Sequence, residues 1–295
     1  MKRALPERLA ARLFDDPAER EAFVAALAAG DSARPVEVVE AAEPDSQLPD
    51  WVPGFVGLRS GAARAYGLDL SSVWEMQPLS VVGPVRRMLD LCAAPGGKSV
   101  LASHWVRPEC HLANEVVPKR LGILRHNLAR CRVAAFTQRL PPVGWASRAP
   151  GSFDLVLVDA PCSGQSLVAR GVENPGCFHP STLKGNAMRQ RGILAAAAAC
   201  VAPGGWLLYS TCTFAPEENE KNMAWFGKRQ PGFHALELDA MARWRSPLGR
   251  VPGYRLGPHE GLGSGGFCCL WRRDGEPGEL PPLDPELLAF PVNDA

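Results

Sequence analysis

One heptapeptide, Phe153–Asp159 (FDLVLVD), constrains the fold more than any other part of the chain. It is a nearly continuous apolar run, too short for an independent helix and too apolar for a strand with one wet face. It therefore reads as a strand buried on both faces, the kind found in parallel sheets with helices on either side. Arg87–Ala93, His111–Glu115 and Trp206–Thr211 read as further strands, and Val133–Thr137 as a weaker one. Helical segments fall between them: from AAPGGKS to Val106, Pro118–Arg130 with a proline suited to a first turn, Ser181–Cys200, and Pro216–Arg229. Pro203-Gly204-Gly205 reads as a turn, and Phe267–Arg272 as a closing strand. This alternation predicts an α/β class with a doubly wound, mostly parallel sheet. The start of the chain, up to about Ala28, reads as helical, whereas residues 29–80 show few clear periods. The expected division is a small N-terminal extension over 1–74, a main domain over 75–273, and an acidic, proline-containing tail over 274–295. That tail holds no Lys or Arg and is expected to pack loosely.

Nine cysteines are present, an odd number, and no two have CxxC spacing, which argues against a disulfide framework and a structural zinc site. No apolar run approaches the roughly 20 residues needed to span a bilayer, and the charged N-terminus lacks an apolar leader core. A cytoplasmic protein with no membrane and no metal is expected. The formal net charge of +1 means that any grip on nucleic acid must be local.

Three segments carry chemistry. In LDLCAAPGGKS (89–99), Cys92, Ala93, Ala94, Pro95, Gly96, Gly97 and Lys98 form a glycine-rich turn between a strand and a helix N-terminus, a shape that lets backbone approach a ligand. Glu115 closes the next strand, where nucleoside hydroxyls are held in doubly wound folds. In FDLVLVDAPCSG, Asp159 ends a buried strand and Cys162 follows in the loop; in YSTCTFAPEENE, Cys212 lies just past another strand. Each feature has a plain reading as well: a tight turn, a solvated strand-end carboxylate, a filler thiol. Two cysteines and an aspartate together at the carboxyl ends of strands are hard to explain as packing. A nicotinamide-linked oxidoreductase is disfavoured by the absence of GxGxxG.

CAAPGGK, DAPCSG and YSTCT followed by EEN together resemble the signature of the Sun-type RNA (cytosine-5) methyltransferases, also called Fmu or NSUN proteins, over about residues 75–272. Gln77 in WEMQPLS and the PHEGLGSGGF turn are weaker echoes. The resemblance implies a Rossmann-like, S-adenosyl-L-methionine (SAM)-dependent methyltransferase fold. It implies SAM held by residues 92–98, Glu115, Arg120 and Asp159. It further implies Cys212 as nucleophile toward cytosine carbon 6, Cys162 assisting release, and Asp159 contacting ring nitrogen 3. The expected substrate is RNA, ribosomal ahead of transfer RNA, and the expected state is a monomer. A catalytically silent RNA-binding or ribosome-assembly factor on the same fold is the alternative, disfavoured by the intact cysteines and aspartate.

The chain departs from the family pattern at three points. AAFTQRLPP supplies no acidic residue after the third strand, with Gln138 nearest; CSGQSL and GGF replace commoner forms. Candidate RNA contacts are Arg59, Arg64, Lys184, Arg189, Arg191, Arg243, Arg245, Arg250 and Arg255, with His179 and His259 as further polar groups. Trp51, Tyr66, Trp74, Trp244 and Tyr254 stand beside some of these and are read as surfaces for stacking bases.

Overall fold

The computed structural model describes residues 4–38, 47–58 and 65–293; the candidates Arg59 and Arg64 lie outside them. Its centre is a sheet built on β4 (Arg87–Asp90), β5 (Cys110–Asn114), β6 (Ala135–Gln138), β7 (Phe153–Asp159) and β8 (Val201–Thr211). These five are parallel, in the order β6-β5-β4-β7-β8. The chain runs outward from β4 to β6, then crosses back to lay β7 on the other side of β4. The carboxyl ends of β4 and β7 thus diverge at a topological switch point, where open α/β sheets bind ligands.

Antiparallel strands extend both edges. β11 (Gly266–Arg273) pairs with β8, and β9 (Phe233–Ala235) and β10 (Tyr254–Leu256) pair with β11. On the far edge, β12 (Pro291–Val292) pairs with β6. Helices α4 (Gly97–Val106), α5 (Pro118–Arg130), α6 (Pro142–Arg148), α7 (Pro180–Cys200) and α8 (Glu220–Arg229) complete the α/β fold. Two large apolar clusters form, with Leu89 and Val156 in one and Met88 and Leu155 in the other. Adjacent strand residues thus enter different clusters, as expected of a sheet with two dry faces.

The N-terminal region is more ordered than its sequence suggested. Its helical start is two helices, α1 (Ala4–Leu13) and α2 (Pro17–Ala29), parted where Asp16 caps the Ala18 amide and Pro17 opens the second helix. They pack Leu9, Leu13, Phe23 and Leu27 against Ala169, Cys177, Phe178 and Phe214. Residues 29–80 contain a three-stranded antiparallel sheet, β1 (Pro35–Val38), β2 (Val56–Leu58) and β3 (Tyr66–Asp69), then α3 (Leu70–Met76). The 74/75 division falls inside α3, whose Val73, Trp74 and Met76 join the main core.

Two other expectations are corrected. Pro203-Gly204-Gly205 lies inside β8 rather than ahead of it: the strand begins at Val201, and Gly204 at φ +69° with a register shift against β7 marks a bulge there. The tail is not loose. Leu287 is fully buried, Arg148 pairs with Asp284 and with Glu286 (2.6 Å), and the Thr137 amide donates to Phe290 O (2.8 Å). Its leucines and β12 find an open sheet edge and an arginine, which outweigh the composition argument.

Candidate active site

Four loops converge at the carboxyl ends of β4, β5, β7 and β8. The first begins at Asp90, whose carboxylate accepts the Cys92 amide (3.2 Å) and the Ser99 hydroxyl (2.6 Å) and so closes the turn onto α4. Burial pushes the Asp90 carboxyl up to about 7. Gly96 sits at φ +118°, a conformation that side chains disfavour, and leads directly into the α4 N-terminus. Cys92 and residues Ala93–Lys98 therefore form the rim of this turn. Burial also drives the Cys92 thiol well above its ordinary range, so it is a poor nucleophile.

Glu115 stands at the adjacent strand end, with 4% of its surface exposed. One oxygen accepts the Val117 amide (2.8 Å), and the other pairs with Arg120 (3.0 Å). Arg120 also donates to Ala94 O (2.5 Å), tying the glycine-rich turn to the carboxylate. The donor set fits a nucleoside cofactor: a carboxylate that can accept ribose hydroxyls lies beside a turn whose backbone can be approached. Arg120 is about half exposed (48%) while Glu115 is buried, so the guanidinium can shift toward solvent when a ligand hydroxyl reaches the carboxylate. Glu115→Ala should therefore weaken SAM binding. A hydrogen bond to a charged group is worth about 1.5–3 kcal/mol, or roughly one to two decades in Kd. Isothermal calorimetry on the folded variant checks this, and unchanged affinity would reduce Glu115 to a strand-end carboxylate.

Gln138, the residue nearest the place of the missing acid, is held by its amide nitrogen. Its amide donates to the carbonyls of Glu286 (2.8 Å) and Leu287 (2.9 Å), so it is committed to the tail.

The second half of the site holds two cysteines. The sulfurs of Cys162 and Cys212 lie 3.2 Å apart, one on the loop after β7 and one on the loop after β8. The loops are stitched together: Ser163 and Thr213 hydroxyls meet at 2.7 Å, the Ser166 amide donates to Cys212 O, and the Phe214 amide donates to Gln165. Glu218 accepts the Ser163 amide and the Gln190 side chain, while Asn219 bridges Thr211 and Thr213. The two thiols are driven apart in acidity. The hydrogen bond from Cys162, aided by Lys98 and Ser166, lowers Cys212 despite its burial; the same contact, together with burial, raises Cys162 well above the usual thiol range. Of the pair, Cys212 is thus the sulfur that gives up its proton more readily, and Cys162 the one that keeps it.

Asp159 and Lys98 complete the group. Lys98 Nζ lies 2.5 Å from Asp159 Oδ1 and 3.2 Å from the Ser210 hydroxyl, which itself donates to Oδ1. Lys98 also pairs with Glu75 of α3. Burial opposes its charge, but the two carboxylates prevail and hold the ammonium above its ordinary range. Sequence reasoning found Asp159, Cys162 and Cys212 and placed Lys98 in the turn, but missed Glu75, Ser210, Ser166 and the bracing role of Glu218. A carboxylate between Trp74 and Met76 was the available signal for Glu75.

Several candidates lie elsewhere. Gln77 is buried. His179 caps α7 at Ser181. His259 packs against Phe14 and Phe23 of the N-terminal helices. Arg255 cannot reach RNA: it is buried, bonded to Glu220 (2.5 Å) and to Phe214 O (2.8 Å). Arg245 is spent on carbonyls of its own loop, and Arg191 on Asn222. Lys184, Arg189, Arg243 and Arg250 are exposed. The reading of aromatic stacking faces is corrected as well. Tyr66, Trp74, Trp244 and Tyr254 are core residues, and Trp51 packs its ring edge-on with Trp244. Large rings beside arginines were filling the interior, where their area stabilises most.

Comparison with known proteins agrees with this geometry. The family profile of the 16S rRNA methyltransferase RsmB/F matches residues 82–270. "Ribosomal RNA small subunit methyltransferase F" of Cronobacter sakazakii is 33% identical over 162 residues, covering 52% of this chain and 33% of that protein. The protein of the same name from Escherichia coli O139:H28 is 33% identical over 175 residues, covering 55% and 36%. The chain thus matches only about a third of the length of these curated relatives. Among solved structures, a methyltransferase homolog from Pyrococcus horikoshii superimposes with a TM-score of 0.69 at 21% identity, covering 90% of this chain and 93% of that one. NSun6 from Pyrococcus horikoshii with SFG superimposes at 0.57 and 22% identity, covering 78% and 56%. Those two likenesses establish the Rossmann-like methyltransferase fold. With a profile match across 82–270 that takes in all three motif segments, the chain belongs to the 16S rRNA methyltransferase RsmB/F family.

Proposed function

We propose that this protein is a SAM-dependent RNA methyltransferase that methylates carbon 5 of a cytosine, in ribosomal RNA ahead of transfer RNA, through a covalent Cys212 adduct. The observation that carries this reading is the contact pair Cys162–Cys212, with opposite acidities, beside Asp159 and Lys98 at the switch point of the sheet. Carbon 5 of cytosine is too weak a nucleophile to act unaided. The Cys212 thiolate adds to carbon 6: a sulfur–carbon bond forms, and the electron pair of the 5,6 double bond becomes available at carbon 5. Asp159 shares a proton with ring nitrogen 3 and so stabilises the adduct. SAM, when bound by residues 92–98, Glu115, Arg120 and Asp159, supplies an electrophilic methyl group on a sulfonium.

Release follows once carbon 5 carries both its proton and the new methyl. The proton is lost, its electron pair re-forms the double bond, and the carbon–sulfur bond breaks to return Cys212 as thiolate. Cys162 assists this elimination: the carbon 5 proton passes to water, while the Cys162 thiol donates to the Cys212 sulfur as it departs as thiolate. The target base must arrive unstacked, from a loop or by flipping. Exposed Lys184 and Arg189 on α7, beside the Cys162 loop, are the basic residues best placed to hold its phosphates.

The proposed division assigns 75–273 to the methyltransferase unit, 1–74 to an appendage, and 274–295 to a bracing tail. A cytoplasmic monomer is the proposed state; among the described residues no helix is long and apolar enough to cross a membrane. The test is product analysis. Ribosomal RNA incubated with the protein and deuteromethyl-SAM should yield labelled 5-methylcytidine on nucleoside mass spectrometry. Label in another nucleoside, or none with intact SAM binding, would overturn the assignment and favour the silent RNA-binding reading.

A further inference from the structure

A carboxylate in the middle of a buried helix needs a reason. Six of the seven residues of α3 (LSSVWEM) are buried, and Glu75 is 2% exposed. Leaving an ionised group there is costly unless a partner meets it. The partner is Lys98 of the glycine-rich turn, with which Glu75 forms a buried ion pair. Beyond Lys98 stands Asp159, one-third exposed (34%), with Oδ1 taking both the ammonium and the Ser210 hydroxyl. The fold makes room for this arrangement on purpose. A Cβ added at Gly266 of β11 would fall 1.9 Å from Glu75 Oε1 and 2.9 Å from Thr211 O, the residue just before Cys212. Any side chain at Gly266 would evict the carboxylate.

We propose that Glu75 is a positioning residue for the reaction: it anchors the Lys98 ammonium, and so fixes the orientation of Asp159 and the charge that Cys212 experiences. The role in catalysis rests on the cytosine-5 reading above; the electrostatic link to Cys212 does not. Two carboxylates share one ammonium, so the cluster carries an excess negative charge when all three are ionised. Without Glu75, the ammonium, already 2.5 Å from Asp159 Oδ1, would be free to cover the second oxygen as well, taking the carboxylate away from the base. The groups facing Glu75 are Lys98 from α4, Asp159 from β7, Cys212 from the loop after β8, and Cys268 from β11. Burial, with Asp159 and Cys212 adding to it against Lys98, raises the Glu75 carboxyl well above its ordinary range, consistent with a group that feels these neighbours.

The experiment compares Glu75→Gln and Glu75→Asp with the wild type. Removing one negative charge near Cys212 eases formation of the thiolate. The pH profile for iodoacetamide modification of Cys212, followed by peptide mass spectrometry, should move to lower pH in Glu75→Gln and return toward wild type in Glu75→Asp. This readout needs neither RNA nor SAM and survives failure of the functional reading. Methyl transfer by Glu75→Gln should fall about tenfold in kcat, while the Kd for SAM and the KM for RNA stay within about threefold. A folded Glu75→Gln with an unchanged alkylation profile and unchanged kcat overturns the proposal. So does a fall in kcat matched by an equal loss of SAM affinity, which would make Glu75 a wall of the cofactor site. If Glu75→Gln fails to fold, Glu75→Asp carries the test, since an intact charge on a shorter arm should lower kcat by misplacing Lys98 without moving the alkylation profile. Absence of 5-methylcytidine from the wild-type reaction would instead sink the functional reading.

Discussion

Cys212→Ala should abolish methyl transfer, by roughly four orders of magnitude or more, while SAM affinity stays within about twofold. The reason is geometric. Cys212 lies on the loop after β8, whereas the residues proposed to hold the cofactor lie on the loops after β4 and β5 and, for Asp159, at the end of β7. The nucleophile therefore acts on the base alone. Removing it leaves carbon 5 unactivated, and neither Asp159 nor Lys98 can substitute, since neither can add to carbon 6 and later depart. Cys162, only 3.2 Å away, is the one group that could stand in, but its elevated proton affinity leaves little thiolate. Methyl transfer to RNA from tritiated SAM, with calorimetry for SAM, checks both halves. Substantial turnover by this variant would remove Cys212 from the mechanism.

Cys162→Ala should have an effect of a different kind. Addition and methylation can still proceed, but elimination loses its assistance, so the enzyme accumulates on its product. A conjugate of protein and RNA should persist on a denaturing gel, in amounts approaching the enzyme added, with multiple turnover lost. The double variant with Cys212→Ala should show no conjugate, because the bond being trapped is the one from Cys212. Loss of the contact also removes the hydrogen bond that favours the Cys212 thiolate, so adduct formation should be slower than in the wild type even as its decay nearly stops. A conjugate that survives in the double variant would mean that the two cysteines have exchanged roles.

What could be read from the chain was governed by how local its cause was. β7 was legible because five of its seven residues are apolar, four of them (Leu155, Val156, Leu157 and Val158) in an unbroken buried run, and α5 because Pro118 opens it. The convergence of the loops that carry Asp159, Cys162 and Cys212 was legible because each of these residues sits within a few residues of a strand end. The small sheet of β1–β3 was not, because its strands are three or four residues long, too short to display a period. The tail was misjudged because its partners, Arg148 and the edge of β6, are more than 130 residues away in sequence. Glu75 was missed for the same reason. Its meaning depends on Lys98, 23 positions later, and on a glycine in β11 that leaves space for its oxygen. The aromatic residues show the converse error: Trp244 follows exposed Arg243 and Tyr254 stands four positions after exposed Arg250, yet both turn inward, and no local pattern distinguishes a ring that faces solvent from one that faces the core.

The 3.2 Å contact between Cys162 and Cys212 has one more consequence, in redox terms. Two thiols at that separation form a dithiol couple, and an oxidant such as hydrogen peroxide can take two electrons and two protons from them to leave a disulfide and water. Attack begins at the sulfur that gives up its proton more readily, and the second sulfur is in place to resolve it. The nucleophile and its helper are then consumed together, in a form that a reducing thiol restores. The same proximity that divides the two chemical roles makes this enzyme's resting state dependent on the reducing power of its surroundings.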